Sequence, residues 1–238
     1  MILNFMSFNT QHGFDYKRKD RIDFSLSADL IRQFDSDIIG LNEMRGEGVL
    51  EDYTEQTKTL ADLLGYHYYF GPSLVFPDRG PYGNAVISKY PIAHAEVIPI
   101  PDPEIKDEDA YYETRSILKA DFDIAGGFTV YISHFGLAKA ERKNAVATLL
   151  EVLKKQEKPC IFMGDLNMTP DDELVHAISE QLQDTAVFFN EPKLSFKSDK
   201  PTVKIDYIFV SEGIKVHSAD IPPVVVSDHR PHIAQLEL

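Results

Sequence analysis

Residues 162–170 read FMGDLNMTP. They close an apolar run that begins at Pro159, and they stop it abruptly on Gly164-Asp165-Leu166-Asn167. Gly, Asp, Asn and Pro are the usual turn formers, so one reading is simply a turn. The other starts from the carboxylate and the carboxamide two residues apart. If the chain stays extended, Asp165 and Asn167 project to one side while Leu166 points back into the core. The stretch is then a buried strand whose end carries chemistry, and the test is whether other strands end the same way.

They do. Ile2–Phe8 reads as a buried strand followed by Asn9, Asp37–Leu41 runs into Asn42-Glu43, and Phe128–Ser133 is followed by His134. Asp206 sits inside KIDYIFV, in a strand over Ile205–Val210, and Ser227-Asp228-His229 precedes a last strand at His232–Leu238. Further strands are expected at Tyr66–Phe70, Ala85–Ser88, Ala93–Ile100 and Arg115–Phe122. Helical spacing of Ile22, Leu26, Leu30, Ile31 and Phe34 predicts a helix over Arg21–Phe34. A second helix is expected over residues 50–64, closed by Gly65. Val146, Leu149, Leu150 and Leu153 make one apolar face of a third over Lys139–Lys155, and Asp172–Ser179 is a fourth. Strands and helices alternate early, while strand pairs run together in the middle and at the end. That mixture predicts an α/β sandwich with mixed sheets rather than a purely parallel one. Polar strand ends gathered at one edge would line a single cleft, where such proteins place function.

The totals agree. The chain has 238 residues, 43% of them hydrophobic, and no repeat or linker divides it, so one domain over residues 1–238 is expected. No apolar run approaches the roughly twenty residues of a membrane-spanning helix. The start, MILNFMSFNTQHG, lacks the flanks of a signal peptide and reads as a first strand. The one cysteine, Cys160, lies in an apolar stretch and is expected to be a buried thiol in a cytoplasmic protein. Lys and Arg total 24 against 38 Asp and Glu, a net charge of −14. That balance opposes general coating of DNA, where neutralisation of phosphate supplies most of the affinity. It does not oppose an enzyme whose bound cations supply positive charge locally.

Taken singly, these residues have ordinary readings. Asn9 or His134 could be a loop hydrogen-bonding group, and Glu43 a solvated carboxylate. Asp206 is different, because Ile205, Tyr207, Ile208 and Phe209 surround it and an unpaired buried charge is very costly. His229 is the natural partner if the fold brings the two together.

As a set, FMSFNTQHG, DIIGLNE, YGNAVISKYPI, ETRSILKADF, VYISHFGL, CIFMGDLNMTP, KIDYIFV and SDHRP follow a known order from end to end. The sequence resembles the endonuclease/exonuclease/phosphatase superfamily, metal-dependent phosphoesterases that include DNase I-like nucleases, sphingomyelinases and inositol polyphosphate 5-phosphatases. The resemblance implies a four-layer α/β sandwich, two mixed sheets packed face to face with helices outside. It implies hydrolysis of a phosphate ester by water with Mg²⁺ or Mn²⁺, one ion by default. Glu43 matches the metal-ligand glutamate, Asn9 an asparagine beside metal and phosphate, and Asp228 an aspartate near the metal. Asp165 matches the residue that orients and deprotonates the water, and Asn167 its neighbour at the phosphate. Asp206 and His229 match a carboxylate–imidazole pair facing the phosphate, and His134 a phosphate contact.

Three further residues are candidate substrate contacts. Arg115, read as the only arginine in a central strand, competes with a salt bridge to Glu113. Asn84 competes with a turn role, and His12 resembles a subset of bacterial members. Gln11 stands where some nucleases carry a second acidic ligand, and Asn42 replaces the usual glutamine. The chain has no tryptophan and no basic, aromatic-rich insertion to grip duplex DNA. An acidic loop is expected at Pro101–Asp109. The sequence therefore favours a phosphoesterase acting on a small or lipid-derived substrate. A nuclease using the same residues is the alternative. A non-catalytic binding module is disfavoured, because every catalytic position is filled.

Overall fold

In this computed structural model, which describes residues 1–48, 54–77 and 79–238, the chain opens with β1 (Ile2–Asn9), α1 (Phe24–Gln33), β2 (Ile38–Arg45) and α2 (Gln56–Leu64). There follow β3 (His67–Phe76), β4 (Gly80–Ser88), β5 (His94–Pro99), β6 (Ser116–Phe122), β7 (Phe128–His134) and α3 (Lys139–Leu153). The last third holds β8 (Cys160–Asp165), α4 (Glu173–Ser179), the short β9 (Gln183–Asp184), β10 (Asp206–Val210), β11 (Lys215–Asp220) and β12 (His232–Glu237). Two six-stranded sheets result, in the orders β11-β12-β1-β2-β4-β3 and β5-β6-β7-β8-β10-β9. Each has one parallel pair, β1 with β2 and β7 with β8, and antiparallel neighbours elsewhere. The mixed-sheet expectation is met.

The period-two alternation of the strands creates the layers. In β1, Leu3 and Phe5 enter the core shared by the two sheets, while Met6 and Phe8 meet Ala28 and Ile31 of α1. In β8, Ile161 and Met163 turn into the shared core. Cys160 and Phe162 face Val146 and Leu149 of α3 and Val175 and Ile178 of α4. Both faces of both sheets are thus covered, giving helix, sheet, sheet, helix.

Element edges moved for identifiable reasons. The first helix starts at Phe24 rather than Arg21 because the Asp23 carboxylate caps it, accepting from the Ser25 N–H at 3.0 Å. The second starts at Gln56; residues 50–53 of the expected helix lie outside the described residues, and Gly65 closes it in a left-handed conformation as expected. Arg115 falls just before β6 rather than within it, and Arg45 ends β2, so Arg115 is not the strand arginine it was read as. β11 was not read at all: of its six residues only Val216 is buried, as suits an edge strand with little apolar signal. No helix among the described residues is long and apolar enough to cross a membrane.

Candidate active site

Strand register assembles the centre. His134, the last residue of β7, pairs with Asp165, the last of β8, and Asp165 pairs on its other side with Asp206, the first of β10. Residues opposite one another in a ladder share a face, so three side chains from distant parts of the sequence stand in a row. Gly164 permits this close approach: its φ is +149°, and any Cβ there would collide with the Ser133 carbonyl. The other sheet supplies Asn9, the last residue of β1, and its partner Asn42 in β2.

Everything converges on Asp165, which is buried. Its Oδ2 accepts from Asn9 Nδ2 at 3.1 Å and lies 3.4 Å from His134 Nε2 and 3.5 Å from His229 Nε2. Its Oδ1 accepts from the Asn167 N–H at 3.0 Å. Its own N–H donates to Asn42 Oδ1 at 3.0 Å, and Asn42 Nδ2 donates to Asn84 Oδ1 at 2.8 Å and to the Ser133 carbonyl at 3.1 Å. Asn42 and Asn84 thereby stitch the two sheets together behind the carboxylate. Burial pushes the Asp165 carboxyl upward, and His229 opposes that rise.

Past Asp165 the chain does not stay extended. Asn167 adopts φ +50°, held by Asp165 Oδ1 at its N–H and by Arg142 Nη1, which donates to its carbonyl at 2.7 Å. Leu166 is buried as expected. The Asn167 side chain turns to His134 and Phe135, with Nδ2 3.2 Å from His134 Nε2 and donating to the Phe135 carbonyl at 2.9 Å. The turn and the chemical strand end are therefore one feature. Glu43 (φ +62°), Gln11 (+48°) and His12 (+47°) are also left-handed. Such backbones cost of order 1–3 kcal/mol each and gather at functional sites. At Glu43 the cause is visible: the β2–β4 register slips between Leu41 and Met44, a bulge that re-aims the side chain.

Two imidazoles flank Asp165. His229 Nδ1 lies 2.8 Å from Asp206 Oδ2, and the Phe196 ring packs on the imidazole with centroids 4.8 Å apart. Burial disfavours the His229 cation, but Asp206 and Asp165 overcome it and push its pKa up to about 10. His134 Nδ1 faces Arg115 Nη1 at 3.0 Å instead. Burial and the adjacent guanidinium hold His134 well below the ordinary histidine value.

Asp165, Asp206 and His229 are the one group of three or more acids, histidines or cysteines among the described residues whose ligand atoms converge closely enough for a metal. His229 stands between the two carboxyl groups, Nδ1 2.8 Å from Asp206 Oδ2 and Nε2 3.5 Å from Asp165 Oδ2, so both ring nitrogens are already engaged rather than free for a cation. Glu43 and Asp228 suit a hard cation better. Burial works against the Glu43 charge, yet His12, the Asn9 amide and the neighbouring His229 hold it well below the usual carboxylate range. Asn9 Nδ2 donates to Glu43 Oε1 at 3.1 Å, and His12 Nδ1 stands 3.8 Å from Oε2. Burial pushes Asp228 up against the pull of His229, and the Glu43 charge adds to the rise. Two carboxylates repelling one another is an arrangement that a hard divalent cation would relieve, through oxygen donors and retained waters.

Among the looser candidates, Arg115 makes the salt bridge to Glu113, Nη2 to Oε2 at 2.7 Å. Asn84 is buried, with its Nδ2 donating to the Ser116 carbonyl at 3.1 Å, so it lies in the network behind Asp165. The acidic loop is anchored to α3, where Glu108 accepts from the Lys139 and Ala140 N–H groups at 2.7 and 2.8 Å. Arg142 and Phe196 were missed by the sequence reading. Arg142 lies on a helix with no local signal, and Phe196 reads as an ordinary loop aromatic.

A family model described as Endonuclease/Exonuclease/phosphatase family matches residues 6–229, which include every residue of this centre. Protein cwh43 of Schizosaccharomyces pombe is 26% identical over 155 residues, which is 64% of this chain but 14% of that protein's length. Uncharacterized protein YbhP of Escherichia coli K12 is 26% identical over 232 residues, covering 88% of this chain and 87% of its own. Among solved structures, the mannosyl-6-phosphatase Bt3783 of Bacteroides thetaiotaomicron has a TM-score of 0.81 at 21% identity, over 99% of this chain and 100% of that one.

Proposed function

The chain belongs to the endonuclease/exonuclease/phosphatase family, and we propose that it hydrolyses phosphate esters of small or lipid-derived molecules. The observation carrying this is a buried carboxylate, Asp165, ringed by Asn9, His134, His229 and the Asn167 N–H at 3.0–3.5 Å. Uncatalysed phosphodiester cleavage is so slow that well over ten kcal/mol must come off the barrier. Preorganised charges and donors are the main means of removing it.

Asp165 orients the attacking water and receives its proton, held in place by Asn42 and Asn9. His229 presents a positive N–H to a phosphoryl oxygen, and Asp206 keeps it charged. Asn167 and His134 offer further polar contact on the opposite side. Glu43 and Asp228, with Asn9 alongside, would hold one Mg²⁺ or Mn²⁺, which would supply Lewis-acid stabilisation of charge on the phosphoryl oxygens. The small-substrate reading rests on the net charge of −14, on the acidic loop fastened to α3, and on the shared fold with a mannosyl-6-phosphatase. We place the enzyme in the cytoplasm because its single cysteine, Cys160, is a buried free thiol.

The test is turnover of a panel: supercoiled plasmid, bis-p-nitrophenyl phosphate, sugar phosphates, phospholipid headgroups and inositol phosphates. Each is run with Mg²⁺, with EDTA, and with Asp165→Ala to expose contaminants. Mg²⁺- and Asp165-dependent release from a small ester supports the proposal. Plasmid nicking that needs both would make the protein a nuclease and overrule the charge argument.

A further inference from the structure

Arg115 is almost wholly buried, and of the two readings its sequence offered, a phosphate contact or a salt bridge, the salt bridge to Glu113 is the one present. Nη2 is held by Glu113 Oε2 at 2.7 Å, Nη1 lies 3.0 Å from His134 Nδ1, and Nε is buried without a partner. A guanidinium is always charged and can only donate. The nitrogen it faces must therefore accept, so His134 Nδ1 carries a lone pair and the ring is neutral with its proton on Nε2.

A second donor competes for the ring. Asn167 Nδ2 lies 3.2 Å from His134 Nε2, and were that nitrogen the acceptor, the proton would sit on Nδ1, against the guanidinium. Two facts decide between them. The arginine bond is charge-assisted and shorter, and Asn167 Nδ2 already has an acceptor in the Phe135 carbonyl at 2.9 Å. With the proton on Nε2, His134 points an N–H at Asp165 Oδ2, 3.4 Å away.

We infer that Arg115 is a positioning residue that fixes His134 as a neutral imidazole with its proton on Nε2, so that this N–H is the donor offered to Asp165 or to a substrate phosphoryl oxygen. The inference deepens the proposed phosphoesterase reading and rests on it for the identity of the substrate oxygen. Glu113 takes part by orienting the guanidinium. His134 is then a built-in hydrogen-bond donor that carries no charge of its own.

The experiment is long-range ¹H–¹⁵N correlation spectroscopy on the full chain with ¹⁵N-labelled histidine, metal-free, at pH 7. Assignment of one ring among the eight histidines comes from His134→Gln. The expected wild-type pattern for His134 is a neutral ring protonated on Nε2. In Arg115→Met the ring should shift toward the Nδ1-protonated or doubly protonated form, and Arg115→Lys, which keeps a cationic donor, should restore much of the wild-type pattern. On an active substrate, Arg115→Met should lower kcat about 10- to 100-fold, as loss of an outer partner of a functional imidazole does. KM should change little, and the loss should vanish in the His134→Gln background. A wild-type His134 protonated on Nδ1 overturns the inference, as does an unchanged ring in Arg115→Met. If Arg115→Met does not fold, the wild-type and Arg115→Lys spectra still decide. An inactive protein with the Nε2-protonated ring would sink the proposed function and leave this inference standing.

Discussion

His134 and His229 face the same carboxylate oxygen from two sides, at 3.4 and 3.5 Å, and both are buried. They differ in what stands behind the ring. Asp206 backs His229 at 2.8 Å, and Arg115 backs His134 at 3.0 Å. Burial alone disfavours the cation in both. A carboxylate reverses that and makes His229 a cation; a guanidinium reinforces it and keeps His134 neutral. The pair teaches that the working state of an imidazole is set by the partner at its rear nitrogen, since both front nitrogens face the same Asp165 oxygen. One ring is suited to neutralise developing charge, the other to donate a hydrogen bond without competing for the proton Asp165 must receive.

The largest expected effect removes what both rings share. Asp165→Ala, and equally His229→Ala, should lower kcat by about 10⁴-fold or more, the scale for losing one member of a catalytic unit. Circular dichroism should show the fold retained, and near-normal turnover in either variant would overturn the site assignment. Next, Asp206→Asn keeps the shape behind His229 and removes the charge. Turnover should fall about 10²- to 10⁴-fold, the range for an acid–base group that loses its proper state. His134→Gln should cost less than Asp206→Asn, about 10²-fold, as for loss of one neutral donor at a developing charge. A larger loss than in Asp206→Asn would break the ranking of the two rings.

Titration sharpens the comparison further. In metal-free protein, His229 should still be protonated at pH 8 while His134 is neutral at pH 6, read from ring ¹⁵N shifts. The sign for stability follows from the raised His229 value. Its contribution is fully present below the unfolded histidine pKa, near 6.5, and is lost as pH rises toward about 10. Urea midpoints should therefore decline over that window, and less steeply in Asp206→Asn. The smallest effect lies farthest from either ring. Asn84→Ala leaves Asn42 short of one acceptor and should cost about 1–3 kcal/mol of stability. It should have only a modest effect on kcat, measured by denaturant unfolding beside turnover.

Much of this was present in local pattern. The unbroken apolar run over Cys160–Met163 in β8 is the pattern of a strand buried on both faces, and polar residues at successive strand ends mark one rim. The helix limits were less legible, because caps such as Asp23 depend on side-chain geometry that periodicity does not encode. β11 was lost because an edge strand needs few apolar residues. Asp206 announced its need for a partner by sitting among aromatic and aliphatic neighbours, and His229 proved to be that partner.

By itself, then, the sequence determined most of the strand segments, and that carboxylates, amides and imidazoles gather where strands end. Those properties follow from short-range periodicity and from the cost of burying polar groups. Only the tertiary structure decided that His134, Asp165 and Asp206 stand in one row, that Glu43 sits at a bulge with its carboxylate against Asn9, and that Asn42 and Asn84 join the sheets behind the site. It also decided that a carboxylate backs one histidine and a guanidinium the other. Each of these depends on register or on a partner remote in the chain, and the proton state of a buried group is fixed by whichever charge the fold brings within hydrogen-bonding distance.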